Sequence, residues 1–173
     1  MKESWEVKRL GEVCEIKPPK KQARDRLNDD DFVSFVPMED LGVLTKNFIA
    51  TKERPLKEVC GSYTYFSDND VLLAKITPCF ENGKIGIAQN LKNGIGFGSS
   101  EYIVFRSRSE LIPDYLYYFL TRDQFRQDGK KGFRCKKSGY FTKPVKNITN
   151  GIFICHKQVN NDTKSNSYSL KRQ

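Results

Sequence analysis

Lys75, Thr77, Asn82 and Lys84 fall within one stretch of ten residues, and Ser99 and Ser100 follow on a second polar turn. Amines, hydroxyls and a carboxamide at this spacing can hydrogen-bond to a partner, but they form no nucleophile–base pair. The one histidine, His156, stands far along the chain. Only Asp68, Asp70, Glu81 and Lys84 suggest the carboxylate–lysine set that a nuclease would need, and they are scattered. Cysteines 14, 60, 79, 135 and 155 are widely spaced without a Cys-x-x-Cys pair, so reduced packing thiols are expected and no zinc site or cofactor.

The elements that must position these groups can be read from the pattern around them. Residues 71–76 are apolar except for Lys75 and include the β-branched Val71 and Ile76, which predicts a largely buried strand. Pro78 stops it, because proline lacks a ladder N–H and restricts the residue before it. Glu81-Asn-Gly-Lys84 is turn chemistry, and residues 85–88 resume as a second strand. The expected product is a hairpin-like unit with Thr77, Asn82 and Lys84 at its polar tip, a rigid support for reading a partner.

Residues 93–98 read Asn-Gly-Ile-Gly-Phe-Gly, but a strand-like run, not a helix, follows. A phosphate-binding glycine loop should open a helix, so these glycines are assigned to tight packing or close backbone approach. Ser99 and Ser100 then face the side of the Thr77–Lys84 tip. Residues 113–127 are expected to form the one helix, with Pro113 in its first turn, Leu116, Phe119 and Leu120 as its apolar stripe and Gly129 as its stop. Residues 32–36 read as a strand and 38–42 as a turn or short helical turn closed by Gly42, with another strand expected within 43–50 and a polar connection over 51–60. Ser62-Tyr-Thr-Tyr-Phe66 alternates as a strand with aromatics on one face. Near the start, Leu10, Val13 and Cys14 suit one helical turn, with Trp5 and Leu10 as packing residues. Lys20, Lys21, Arg24 and Arg26 lie in a basic, proline-bearing loop.

Five segments, taken together and in this order, resemble the target recognition domain of type I restriction-modification specificity subunits. They are residues 5–12 (Trp-Glu-Val-Lys-Arg-Leu-Gly-Glu), 36–42 (Val-Pro-Met-Glu-Asp-Leu-Gly), 72–84 (Leu-Leu-Ala-Lys-Ile-Thr-Pro-Cys-Phe-Glu-Asn-Gly-Lys), 93–101 and 113–120. The resemblance implies a single mixed α/β domain, mostly antiparallel strands with one packed helix, that binds one half of a split duplex DNA target. Lys75, Thr77, Asn82, Lys84, Ser99 and Ser100 would then reach base edges, with lysine suited to guanine, asparagine to adenine and hydroxyls to either. Lys20, Lys21 and Arg24 would hold phosphates. Chemistry would belong to partner methyltransferase and restriction subunits.

Charge does not carry this reading. The net charge is +9, but residues 1–128 hold 19 Lys and Arg against 20 Asp and Glu, whereas 129–173 hold 11 against one. The excess sits wholly in the last segment, where Lys130, Lys131, Arg134, Lys136 and Lys137 could bind nucleic acid non-specifically. Beyond Gly132 the resemblance stops and no long spacer-helix pattern follows. The expected organisation is therefore a recognition domain over 1–132 and a basic, divergent tail over 133–173, polar enough from 159 onward for disorder. A truncated or frame-shifted product is one expectation. A remnant or protein-interaction module without specific DNA binding is the alternative. No run of about 18 apolar residues exists for a membrane span, and the first residues lack a signal peptide's apolar core, so a cytoplasmic protein is expected.

Overall fold

The computed structural model describes residues 4–132 and 152–156. The elements run β1 (Ser4–Lys8), α1 (Leu10–Val13), β2 (Cys14–Ile16), α2 (Lys21–Arg24), β3 (Phe32–Val36), β4 (Asn47–Phe48), β5 (Lys52–Pro55) and α3 (Leu56–Val59). They continue with β6 (Thr64–Ser67), β7 (Val71–Ala74), β8 (Ile85–Ala88), β9 (Ile95–Gly98), β10 (Tyr102–Ser107), α4 (Pro113–Thr121), α5 (Asp123–Gly132) and β11 (Ile152–His156).

Two sheets pack face to face. One has the order β2-β10-β7-β8-β4 and the other β5-β3-β9-β6. Pairing is antiparallel except for β4 with β8 and β3 with β9. The mixed, mostly antiparallel class read from the sequence is therefore the observed one. A separate ribbon pairs β1 with β11, Trp5 opposite Cys155.

Side-chain alternation explains the layering. In β7, Val71 and Leu73 point to one apolar cluster with α4, while Leu72 points to another between the sheets. In β10, Ile103 and Phe105 join the helical side, and Tyr102 and Val104 join the inter-sheet core with Val36 and Phe66 of the other sheet. A third cluster, on the outer face of the four-stranded sheet, joins Val33, Phe35, Tyr65 and Phe97 to Ala23 of α2 and to Leu56 and Val59 of α3. Away from the edge strand β5, both sheets are thus buried on both faces, which is why strands such as β3, β7 and β10 read as apolar runs rather than alternating ones.

Several expectations are corrected. Residues 17–26 are not all loop, because Lys21–Arg24 form a helical turn that buries Ala23. The polar connection over 51–60 contains strand β5 and helix α3; β5 is a charged edge strand whose Lys52, Glu53 and Arg54 point to solvent and leave no apolar signal. Only Asn47–Phe48 of the 43–50 segment is a strand. Of the 62–66 segment only Thr64–Phe66 lie in β6; Tyr65 and, against Phe35, Tyr63 pack on the outer side as the alternation implies, and Phe66 enters the inter-sheet core. The single helix over 113–127 is two helices, broken at Arg122, whose φ of −62° and ψ of 140° are extended, and Gly129 does not stop the second, which runs to Gly132. In a continuous helix Phe125 would lie about 240° round from Phe119. The break lets both rings enter one core, with centroids 6.0 Å apart. Arg134, Lys136, Lys137 and the polar segment from 159 onward lie outside the described residues.

Candidate functional site

The antiparallel pair of β7 and β8, with Leu72 opposite Gly86 and Leu73 opposite Ile85, ends in the polar tip expected from the sequence. Residues 75–84 wind into a compact turn: the amides of Phe80, Asn82 and Lys84 donate to the carbonyls of Ile76, Pro78 and Cys79 at 2.8, 2.9 and 2.9 Å. The Thr77–Pro78 peptide is cis, and Gly83 has φ +73°. Thr77 and Asn82 are exposed on this turn.

The two lysines of the tip point inward to backbone. Lys75 Nζ donates to the Ser100 carbonyl at 2.9 Å, with the Glu101 carboxylate 3.4 Å away. Lys84 Nζ donates to the Met38 carbonyl at 2.8 Å in a partly buried setting. Ser99 Oγ accepts from the Glu101 amide at 3.2 Å, and Ser100 is exposed. Tyr102 Oη donates to the Pro37 carbonyl at 2.8 Å, and burial pushes its hydroxyl well above the usual tyrosine range. Three turns, around residues 37–46, 75–84 and 99–101, are thereby joined. Lys75, Thr77, Asn82, Lys84, Ser99 and Ser100 come together as one tip.

Two glycines make this joining possible. A Cβ at Gly96 would stand 2.2 Å from the Phe66 ring, and one at Gly98 would stand 2.3 Å from the Val36 carbonyl oxygen and 2.6 Å from the Tyr102 ring. Gly96 thus lets the ring of its strand partner Phe66 lie over β9, and Gly98 lets Tyr102 of the other sheet approach, which places Tyr102 against Pro37.

Lys20, Lys21 and Arg24 belong to a different surface, on and beside α2 over the four-stranded sheet. Lys20 Nζ donates to the Gly61 carbonyl at 2.6 Å and Arg24 Nη2 contacts Cys60 Sγ at 3.5 Å, both in exposed settings, while Lys21 is exposed. These cations keep solvent-facing ends, as contacts to phosphate require.

One buried network was not singled out from the sequence. Asp70 is 1% exposed and takes a two-pronged contact from Arg106, Nε to Oδ1 at 2.8 Å and Nη2 to Oδ2 at 2.7 Å. Its Oδ2 also accepts from the Ser67 amide at 2.8 Å, the turn-capping role expected of Asp70. Burial pushes the Asp70 carboxyl above its usual range, against the pull of the Arg106 and Ser67 hydrogen bonds. Burial works against the Arg106 charge too, but Asp70 outweighs it and holds Arg106 above its ordinary value. Arg106 Nη1 also donates to Gln22 Oε1, tying α2 to β10. The available signal was periodicity: Arg106 continues the inward-facing series Tyr102, Val104, so its charge needs a buried partner.

Asp68 and Asp70 do not assemble with Lys84. Asp70 precedes β7 and Lys84 lies beyond its other end, about 13 Å of strand away. Asp68 Oδ1 accepts from the Leu91 amide at 3.0 Å. Among the described residues no group of three or more His, Cys, Asp or Glu side chains could hold a metal ion. No described helix is long and apolar enough to cross a membrane. An open groove of about 620 Å³ lies between Ser67–Asp70, Gln89 and the segment from Arg106 to Asp114, at the end of the five-stranded sheet opposite the tip.

The fold and sequence both have relatives. A family model described as the type I restriction modification DNA specificity domain matches residues 2–150. The EcoAI specificity subunit of Escherichia coli, a type I restriction enzyme component, is 38% identical over 113 residues, which are 64% of this chain and 18% of that protein. The EcoEI specificity subunit, also of Escherichia coli, is 41% identical over 118 residues, 66% of this chain and 19% of that protein. The chain thus spans about a fifth of the length of these relatives. Among solved structures, the HsdS subunit from Thermoanaerobacter tengcongensis superposes with a TM-score of 0.61 over 87% of this chain and 37% of that one, at 18% identity. A chain from a study of assembly and conformational transition in the type I R-M system gives the same TM-score over 89% and 38%, at 15% identity. The structural likeness supports the fold, and the match over most of the chain establishes the family. This chain belongs to the type I restriction modification DNA specificity domain family.

Proposed function

We propose that this chain binds duplex DNA sequence-specifically, recognising one half of a bipartite target, and directs methyltransferase and restriction subunits there without catalysing a reaction itself. The observation that carries this reading is the tip. Thr77, Asn82 and Ser100 stand exposed together on turns that Lys75, Lys84 and Tyr102 lock in place. Anchored turns with exposed hydroxyl and carboxamide ends, the Ser100 hydroxyl donating only a long bond of 3.5 Å to Glu101, meet the geometric need of base-edge readout. Asn82 is assigned to adenine and Thr77 and Ser100 to neighbouring bases. Lys20, Lys21 and Arg24 are assigned to phosphates. Lys75, Lys84 and Ser99 contribute by holding the tip in shape. Recognition is assigned to residues 1–132, with the basic segment 133–173 adding non-specific attraction, and the protein acts in the cytoplasm.

The test is selection of a random duplex library on the full chain at low and near-physiological salt. A short enriched motif that persists at the higher salt is expected. Binding without a motif, lost as salt rises, would overturn base reading and leave a non-specific cationic anchor. Capture of methyltransferase subunits without any DNA binding would support a protein-interaction module instead.

A further inference from the structure

A segment that the proposed DNA contacts do not use runs directly beside the tip. The Leu44 amide donates to the Gly83 carbonyl at 2.9 Å, the Ile85 amide to Gly42 at 3.3 Å and the Ile87 amide to Lys46 at 2.7 Å, and Val43 bridges Lys84. Residues 42–46 therefore form a rail along β8 and the turn that carries Asn82.

The side chains on this rail are unusual for their place. Val43 is 52% exposed and Leu44 49% exposed, and neither belongs to the three apolar clusters of the core. Leu44 also has φ +50°, a left-handed conformation that its Cβ disfavours. Its side chain lies across Gly83, where an added Cβ would meet Leu44 Cδ2 at 2.9 Å and Arg126 Nη1 at the same distance. A branched aliphatic residue held in an unfavourable conformation without entering the core is explained by what it presents outward. The polar groups beside Val43 and Leu44 are Asn82 on the adjoining turn and Arg126, which meets Gly83 and is ion-paired with Asp123, whereas Lys46 is turned away to Asp114 and the Tyr118 ring.

On the major-groove edge of duplex DNA the one apolar feature is the thymine methyl group, and aliphatic side chains are its natural contact. We infer that Val43 and Leu44 are a second reading element that selects thymine by its methyl group, at a base pair beside the one Asn82 reads. The inference rests on the DNA-binding reading above and deepens it.

The experiment uses the full chain and the duplex obtained by selection. Each thymine is replaced in turn by deoxyuridine, which deletes only the methyl. Wild type is expected to bind about three- to fivefold more weakly at one thymine position. Leu44→Gly, which accepts positive φ, is expected to bind the thymine and uracil duplexes equally while binding DNA with an unchanged salt slope. Leu44→Asn, also tolerant of that conformation, gives the same expectation and guards against a glycine effect on loop order. Equal binding of both duplexes by wild type at every position, or a thymine preference that survives in both variants, would overturn the inference while leaving sequence-specific binding intact. A selected motif without thymine would overturn it too. Failure to select any motif is a different result, and it removes the DNA-binding reading together with this one.

Discussion

At the tip, Lys84 reaches the Met38 carbonyl in a partly buried setting; beside α2, Lys20 reaches the Gly61 carbonyl in an exposed one. Both are lysine-to-carbonyl bonds of ordinary length, yet water can replace only the second at little cost. The difference separates two kinds of cation on one surface. Tip lysines are part of the scaffold that shapes the turns, and recognition there is proposed for the small polar and aliphatic residues around them. The α2 cations, by contrast, hold their present partners in exposed settings and are the ones proposed for phosphate. Lys75 and Lys84, which lie in the 72–84 segment of the family resemblance, are therefore assigned to the fold more than to the bases.

This contrast can be broken at several points. The largest effect is expected where the sheet itself is tied to α2. Arg106→Ala leaves Asp70 buried without its charge partner and should cost about 3–5 kcal/mol in chemical unfolding. A smaller loss would show that water reaches Asp70 and that the network is a surface feature. Next, Gly98→Ala drives a Cβ into the Val36 carbonyl, which backbone packing cannot yield, and should cost about 1–3 kcal/mol. Unchanged stability would mean that β9 can shift against its partner strand β3 without loss. Lys84→Met strands the Met38 carbonyl and should cost about 1–2 kcal/mol, whereas Lys21→Ala should leave the unfolding midpoint where it was. Equal effects from these two substitutions would erase the distinction between scaffold and contact cations.

The cysteines give the finest comparison. Burial pushes the Cys14 thiol from 9.0 up to about 12, whereas Cys60 beside α2 and Cys79 in the tip are half-buried. A folded-state value above the unfolded one means that the stabilising contribution is complete below about pH 9 and is lost as pH climbs toward 12. A decline in stability across that window should therefore shrink in Cys14→Val. Peptide-resolved alkylation at neutral pH should label Cys60 and Cys79 and spare Cys14 until the chain unfolds. Labelling of Cys14 at the rate of the others would show that the core beneath α1 opens readily.

Local signals account for what the sequence revealed. The apolar run before Pro78, the Asn82-Gly83 turn and the resumption at Ile85 each act over a few residues, and together they specify the tip. What stayed hidden depends on distant pairing. Arg106 and Asp70 are 36 residues apart, and nothing near either names the other. The helix break at Arg122 lacks proline or glycine and follows from the demand of Phe119 and Phe125 for one core. Strand β5 forms through its backbone bonds to β3, so its charged side chains gave no period to read. In the candidate site, position was legible but division of labour was not, because a lysine's direction depends on which carbonyl another loop delivers to it.

The most direct test of the account measures affinity for the selected duplex and for a scrambled duplex, across a salt series, for wild type, Asn82→Ala and Lys21→Ala. Asn82→Ala should lose much of the discrimination between the two duplexes while keeping the salt slope. Lys21→Ala should weaken both duplexes alike and reduce the slope by about one. The reverse assignment, with Lys21→Ala abolishing discrimination and Asn82→Ala affecting both duplexes equally, would contradict the claim that the tip reads and α2 holds.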